Sequence, residues 1–304
     1  MSLIVTGTLG IDTIETPTGA AKCVPGGSAA YFGAAASAQG PVRLVGAVGD
    51  DWPQEHHDLL ASFPQLDLSG LEQRAGSKTF AWGGRYLENM NIRETTFTAL
   101  GVLEEAPPSV PESFRDSDLV FLANSHPSVQ MAFLEQLPKR QLTVLDTMDL
   151  WIENTNAELR AVVERIDGLL INDSEAHLMT GIGNPISAGH EILKMGPSFV
   201  IIKKGEHGAV LIHQDGIGVI PAFPVPVERV IDPTGAGDSF AGGFMAFLER
   251  TGGRDLKALQ AALAWGTVTA SFTLESFGLD GLRGVNLGQL TERLEAFREA
   301  ARIG

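Results

Sequence analysis

The sequence predicts an α/β protein in which a doubly wound, mostly parallel sheet is flanked by helices and carries a small inserted β lid. Short apolar runs alternate with longer segments of helical periodicity over most of the 304 residues. Several runs, such as LVFLA, GLLIN and FVIIK, are apolar without alternation, as in strands that are buried on both faces. The repeated β–α order requires crossover connections, which predicts parallel strands with right-handed crossovers.

The predicted elements follow one another along the whole chain. The candidate strands are 3–6, 42–48, 119–123, 143–146, 168–172, 199–203 and 209–213. The candidate helices are 28–38, 127–136, 156–166, 174–180, 185–195 and 239–250. No internal repeat or low-complexity tract interrupts the series, and a mass of 32.3 kDa suits one large domain. We therefore expect residues 1–304 to form a single domain.

One segment departs from the β–α order. Residues 78–86 and 93–102 alternate in polarity, are rich in Thr and aromatic residues, and flank a polar turn at 87–92. This pattern predicts an antiparallel hairpin. Together with 10–24 the hairpin could form a small separate sheet, so we expect a lid made of about 10–25 and 76–102. An edge extension of the main sheet is the alternative.

Composition excludes several classes of partner. The chain has 22 Lys and Arg against 37 Asp and Glu, a formal net charge of −15 and a pI near 4.8. This balance repels nucleic acid and anionic membrane surfaces. The single cysteine, Cys23, forms no intrachain disulfide and is expected to be an apolar filler. No apolar run reaches the roughly 18–20 residues of a membrane span, and the first residues resemble a strand, so we expect a cytoplasmic protein.

The stretch DPTGAGDSF at 232–240 carries the clearest chemical signal. Val230 and Ile231 before it are predicted to end a strand, and a helical pattern follows it. Small residues at a helix N-terminus let backbone N–H groups converge on an anion. Capping accounts for Asp238 but not for the glycines beside it. No GxxxxGK[ST] occurs, and Phe240 stands where GxGxxG needs its third glycine, so neither a P-loop NTPase nor a dinucleotide dehydrogenase is expected.

Phosphoryl transfer to an alcohol explains why a carboxylate stands beside an anion site. The hydroxyl proton must pass to a base while negative charge develops on the transferring oxygens. Backbone N–H groups at the helix start stabilise that charge. Asp238 as the base and Gly235, Ala236 and Gly237 as the anion hole divide the two tasks.

Four segments in order along the chain resemble the ribokinase-like, PfkB-type carbohydrate kinases. They are PGGSAAYFGAAASAQG at 25–40, NDSE at 172–175, KKGEHG at 203–208 and DPTGAGDSFAGGF at 232–244. The resemblance implies a ribokinase-like fold and ATP- and Mg²⁺-dependent phosphorylation of a hydroxyl, a primary CH₂OH, on a small sugar or polyol. A nucleoside kinase is the first alternative, supported by aromatic residues of the helix and lid. A non-catalytic sugar- or nucleotide-binding regulator is the second.

The resemblance also implies roles for individual residues. It places Asp238 as the base and Gly235, Ala236 and Gly237 as the anion hole. The residues implied to bind the nucleotide are Asn172, Lys203, Gly205, Gly208, Thr234 and Thr267. Those implied to bind the acceptor are Asp12, Gly26, Gly27 and Tyr31. Glu175 is implied to lie near Mg²⁺, through water, and Asp232 to hold a monovalent cation such as K⁺. Lids of this family can pair between two chains, which implies a homodimer through the lid.

Simpler interpretations stay open for several of these residues. Asn172 and Glu175 could be a strand-end cap and a first-turn acid, and Asp12 a turn residue. Lys203 could be a solvated charge at a strand end. Tyr31 stands where such kinases often have Asn, which weakens ribose specificity, and could simply pack in the core. Of the lid arginines, Arg85 and Arg93 could contact an anionic substrate or be solvated.

Overall fold

A nine-stranded sheet runs through the centre of the protein in the computed structural model, which describes residues 1–302. Its strands are β1 (Leu3–Thr6), β4 (Val42–Gly49), β5 (Leu66–Arg74), β8 (Leu119–Leu122), β9 (Leu142–Asp146), β10 (Gly168–Asn172), β11 (Phe199–Lys203), β12 (Ala209–His213) and β13 (Gly216–Ile220). Their spatial order is β13-β12-β11-β10-β9-β8-β1-β4-β5. The strands from β11 to β5 are parallel, whereas β12 and β13 are antiparallel to their neighbours. The predicted mostly parallel sheet is confirmed.

Ten helices accompany the sheet in residues 1–302. They are α1 (Ser28–Ser37), α2 (Gln54–Ala61), α3 (Pro127–Glu135), α4 (Asp149–Asn154), α5 (Asn156–Val163), α6 (Asp173–Thr180), α7 (Pro185–Leu193), α8 (Ala236–Thr251), α9 (Leu256–Thr273) and α10 (Leu287–Ala300). Buried residues of α1, α8 and α9 cover one face, and those of α3, α5, α6 and α7 cover the other. Of these described helices, none is long and apolar enough to cross a membrane.

The two cores explain why the central strands are apolar without alternation. In β1, Leu3 and Val5 belong to one core and Ile4 to the other, because successive side chains point to opposite faces. Phe32 of α1 stacks on Phe121 of β8, with ring centroids 4.3 Å apart. Strands of this kind carry no polar face, so the polar residues of a site must come from the strand ends and the loops.

A second, four-stranded sheet stands apart from the main one. It contains β2 (Gly10–Thr16), β3 (Gly19–Gly26), β6 (Phe80–Tyr86) and β7 (Arg93–Ala99) in the order β3-β2-β6-β7. β2 pairs with β6 in parallel, and the other two pairings are antiparallel. The two segments predicted to form the lid therefore make a separate sheet, and the alternative of an edge extension is wrong.

Several features differ from the sequence prediction. Cys23, expected to be an apolar filler, is exposed on β3. The candidate helices did not include α2, α4, α9 and α10. Val230 and Ile231 form no strand; the Ile231 N–H instead donates to the Leu274 carbonyl after α9, at 2.7 Å. The prediction also missed β5 and β13 at opposite edges of the sheet. Edge strands pack against fewer side chains and tolerate glycine and charge, so LDLSGLEQR and GIGVI lack the apolar run of a central strand.

Candidate active site

The candidate site lies where the parallel strands end and α8 begins. Lys203 is the last residue of β11 and Asp146 the last of β9. The Lys203 ammonium donates to Asp146 Oδ2 at 2.7 Å. A Cβ built on Gly237 would lie 3.2 Å from Lys203 Nζ. The ammonium therefore lies directly beside the predicted anion hole rather than in solvent.

The first turn of α8 has the geometry of an anion site. Gly235 is the N-cap with φ 74°, and no side chain caps the helix. A Cβ on Gly235 would overlap the ring of Tyr31, so both the positive φ and the close approach require glycine. Ala236, Gly237 and Asp238 form the first turn. The Ala236 N–H donates to the Pro233 carbonyl at 3.2 Å, and the N–H groups of Gly237 and Asp238 have no intrahelical acceptor. Positive helix-dipole potential and free donors thus meet beside Asp238.

Burial raises the pKa of Asp238 to about 8. Desolvation is the main cause; the negative charge of Asp146 adds to it, and the ammonium of Lys203 opposes it. A carboxylate whose pKa lies near neutrality is a far stronger base than a solvated one and suits proton abstraction from a hydroxyl. The same desolvation makes this carboxylate costly to the folded protein.

Asn172 and Glu175 form a capping box at the start of α6. Asn172 Oδ1 accepts from the Glu175 N–H, and Glu175 Oε2 accepts from the Asn172 N–H, each at 2.8 Å. The structure therefore contains the helix cap that the simpler interpretation of these two residues expects. This cap uses one polar atom of each side chain and leaves Nδ2 of Asn172 and Oε1 of Glu175 outside the box. Burial, followed by the charge of Asp146, raises the pKa of Glu175 to about 7.

Asp12 lies within β2 and not in a turn, so that alternative is wrong. It is only 3% exposed, and its Oδ1 has no hydrogen-bond partner among the described residues. A Cβ on Gly26 would overlap the Asp12 carboxylate, so Asp12 rests directly on the backbone of β3. Gly27 follows with φ 95° at the start of α1. Burial and the charge of Asp232 raise the pKa of Asp12 to about 7.

Tyr31 and Asp232, predicted to bind the acceptor and a cation, are both buried in the protein. Tyr31 is 1% exposed and packs its ring beneath Gly235, as the core-packing alternative expects. Its hydroxyl has no hydrogen-bond partner among the residues of the structure, and burial raises the pKa of Tyr31 well above its usual value. Asp232 is fully buried, and its carboxylate accepts from the N–H groups of Thr234 at 2.8 Å and Gly278 at 3.4 Å. Asp232 therefore braces the loop.

No group of three or more His, Cys, Asp or Glu side chains within residues 1–302 forms a metal cluster. Any cation would need further ligands from a bound nucleotide, from water or from backbone carbonyls. Glu175 fits Mg²⁺ in that way, because its second carboxylate oxygen is free and hard cations prefer carboxylate oxygens. Asp232 fits a cation less well, since both of its oxygens accept hydrogen bonds from the protein.

A cavity of about 850 Å³ opens between α8, α9 and the lid. It is lined by four residues assigned from sequence to the nucleotide, namely Lys203, Gly205, Gly208 and Thr267. Phe223 and Val227, from a loop that sequence reasoning did not assign, add an apolar wall, and the lid tip closes the other side. There Asn91 Nδ2 donates to Glu206 Oε1 at 3.1 Å, and Tyr86 of β6 bonds Thr234 at 3.2 Å.

Sequence reasoning missed one ionisable residue of the site and overvalued two others. Asp146 was placed only as a strand end; a carboxylate that closes an apolar strand was the available signal. The candidate arginines of the lid are engaged on its surface. Arg85 pairs with Glu15 at 2.7 Å, and Arg93 lies over the Trp82 ring at 5.3 Å. These contacts favour the solvated-hairpin interpretation.

Comparison with known proteins shows the family to which the chain belongs. The pattern of the pfkB family carbohydrate kinases matches residues 4–282. A cytidine kinase from Thermococcus kodakarensis is 32% identical over 264 residues, covering 84% of this chain and 91% of its own length. A nucleoside kinase from Methanocaldococcus jannaschii is 24% identical over 286 residues, covering 90% of this chain and 89% of its own.

Solved structures share the fold. A ribokinase from Giardia lamblia superposes with a TM-score of 0.81 at 18% identity, over 97% of this chain and 99% of its own. Aminoimidazole riboside kinase from Salmonella enterica, solved with aminoimidazole riboside and an ATP analogue, superposes with a TM-score of 0.79 at 18% identity, over 97% of this chain and 100% of its own. A ribokinase II from E. coli, solved with ATP and Mg²⁺, superposes with a TM-score of 0.78 at 18% identity, over 97% of this chain and 100% of its own. With the family pattern spanning most of its length, the chain belongs to the pfkB family of carbohydrate kinases.

Proposed function

We propose that this kinase transfers the γ-phosphoryl group of ATP to a primary hydroxyl of a nucleoside, with Asp238 as the general base. One observation carries the proposal: Asp238, the N–H groups of Gly237 and Asp238 at the start of α8 and the Lys203 ammonium lie close together. A base and an anion hole in contact with the same few ångströms of space suit phosphoryl transfer to an alcohol.

Each residue of the cluster has a task in this reaction. Asp238 accepts the proton of the attacking hydroxyl, and the Gly235–Gly237 backbone stabilises charge on the transferring oxygens. Lys203, held by Asp146, adds a fixed positive charge beside them. Mg²⁺, when bound, would neutralise phosphate charge, and in this proposal Glu175 would hold it through water. In this proposal, Asn172, Gly205, Gly208 and Thr267 contact the nucleotide.

The acceptor is proposed to bind on the opposite side of the anion hole. Asp12 offers a buried carboxylate with one unpartnered oxygen, which can accept hydrogen bonds from sugar hydroxyls. Gly26 and Gly27 let the acceptor approach the backbone. Tyr86, which bonds Thr234, joins the lid to the loop and would help to exclude water, limiting ATP hydrolysis.

A nucleoside is favoured over a free sugar or polyol for two reasons. The relatives with high coverage include a cytidine kinase and a nucleoside kinase. The lid strand β6 also supplies Phe80, Trp82 and Tyr86, aromatic side chains on the sheet that faces the acceptor. A sugar or polyol remains the second candidate acceptor because the match is to carbohydrate kinases as a family.

An acceptor screen tests the proposal. ADP formation is measured with Mg²⁺ and ATP against a panel of nucleosides, sugars and inositols, and the product is located by ³¹P NMR. The expected result is acceptor-dependent ADP formation with phosphate on a nucleoside CH₂OH. Turnover with sugars alone would replace the nucleoside with a sugar, and no acceptor-dependent turnover would favour a non-catalytic binding protein.

A homodimer through the lid also belongs to the proposal. All seven residues of β7 are exposed, including Phe97 at 44%, and β7 is an edge of the lid sheet. An exposed edge strand presents unpaired backbone groups to a second chain. Light scattering should therefore give twice the 32.3 kDa chain mass, and Thr96→Pro in β7 should return the protein to a monomer.

A further inference from the structure

The strand beneath Asp12 contains a bulge at Cys23. In the pairing of β2 with β3, Asp12 lies opposite Val24 and Thr13 opposite Lys22, which leaves Cys23 as the extra residue. Cys23 has φ 53°, one of two positive values at non-glycine positions among the described residues. A left-handed conformation costs a residue with a Cβ roughly 1–2 kcal/mol, so neighbouring structure must hold it.

His56 supplies that support from the main body of the protein. It lies on α2, which packs beside the main sheet, and is 3% exposed. Its Nε2 lies 2.9 Å from the Cys23 carbonyl oxygen. Because a carbonyl only accepts, Nε2 carries the proton and donates. The ring meets Trp52 edge to face, with centroids 5.0 Å apart, which fixes its orientation.

The bulge decides where the acceptor residues lie. A bulge rotates the strand locally and re-aims the side chains that follow it. The residues that follow Cys23 are Val24, Pro25 and Gly26, and the Asp12 carboxylate rests directly on Gly26. Any change in the bulge therefore moves the surface against which Asp12 is held.

We propose that His56 is a positioning residue for the acceptor: by holding the Cys23 carbonyl it fixes the bulge that presents Asp12 and Gly26 to the acceptor hydroxyls. This inference rests on the proposed function, because it assigns the acceptor to the Asp12 side. His56 touches neither substrate in this scheme. It acts through the backbone of β3 and links the main body to the base of the lid.

Two substitutions separate positioning from packing. His56→Phe keeps a ring against Trp52 but removes the donor, whereas His56→Gln keeps a donor at the distance of Nε2. The loss of one buried hydrogen bond predicts an acceptor KM about tenfold higher in His56→Phe, with the KM for ATP unchanged within about twofold. His56→Gln should restore the acceptor KM to within about threefold of wild type. The neighbouring His57→Gln is the matched control and should change neither KM.

Hydrogen exchange provides a readout that needs no turnover. Amides of residues 19–27 should exchange faster in His56→Phe than in wild type, and His56→Gln should restore their protection. Should His56→Phe fail to fold, His56→Asn replaces it, since its amide is too short to reach Cys23. Equal rises in both KM values, or a His56→Gln variant no better than His56→Phe, would overturn the inference. Faster exchange with an unchanged acceptor KM would overturn it too. If wild type phosphorylates no acceptor, the proposed function fails, while exchange still decides whether His56 holds the bulge.

Discussion

Replacing Asp238 by Asn should abolish most activity and, at the same time, stabilise the protein. Asn keeps the shape of the carboxylate but cannot accept the hydroxyl proton. General-base catalysis contributes about 10²-fold or more, so we expect kcat to fall by at least about 10²-fold while the Kd for the nucleotide stays near its wild-type value.

The gain in stability follows from burial. The pKa of Asp238 rises from 3.8 to about 8, so the folded protein keeps this proton at pH values where the unfolded chain has released it. Wild-type stability is therefore lost as the pH rises from about 4 to about 8. Between the unfolded pKa and pH 7 lie about three pH units, each worth about 1.4 kcal/mol, so removing the carboxylate can stabilise the protein by at most about 4 kcal/mol at pH 7. The buried amide of Asn offsets part of this gain, which leaves about 2 kcal/mol and a Tm about 3 °C higher.

Thermal unfolding of both proteins from pH 4 to pH 8.5 checks this reasoning, with Asp215→Asn, a change of an exposed carboxylate, as the control. The Tm difference between Asp238→Asn and wild type should grow with pH and be small near pH 4. A variant with wild-type turnover would remove Asp238 from the role of base. A Tm that is unchanged or lower at pH 7 would refute the argument from desolvation.

Four further substitutions test the neighbouring geometry. Gly235→Ala should lower kcat and Tm sharply, because its Cβ would overlap the Tyr31 ring at a position with a positive φ. Gly237→Ala should keep the Tm within about 2 °C of wild type, because its Cβ would lie 3.2 Å from the flexible ammonium of Lys203. Equal losses of Tm in the two variants would contradict this reasoning. Lys203→Met removes a charge that lowers the pKa of Asp238, so the pH profile of kcat/KM should shift to higher pH, and a shift downward would speak against it. Asp12→Asn should raise the acceptor KM at least about tenfold with the ATP KM unchanged; an unaltered acceptor KM would move the acceptor site elsewhere.

Local sequence signals were sufficient for the fold class and for the glycine-rich start of α8. The central strands could be predicted because burial on both faces forces continuous apolar runs, as in β10 and β11. The start of α8 could be predicted because its glycines and Asp238 are adjacent in the chain. Edge elements such as β5 and β13 could not, since partial exposure relaxes the pattern that identifies a strand.

The pairing of charges in the site depended on distant parts of the chain. Asp146 and Lys203 are 57 residues apart, and only the adjacency of β9, β10 and β11 in the sheet brings their ends together. The contact of His56 with Cys23 likewise joins a helix of the main body to a bulge whose register no local pattern encodes.

The sequence alone thus determined the fold class, the glycine-rich helix start beside Asp238 and the resemblance to the carbohydrate kinases, because these depend on residues close together in the chain. Only the tertiary structure decided which buried groups share a site. It placed Lys203 against Asp146 and packed the Tyr31 ring against Gly235. Desolvation and Coulomb interactions depend on distance in space, and that distance is set by how the strands and helices pack.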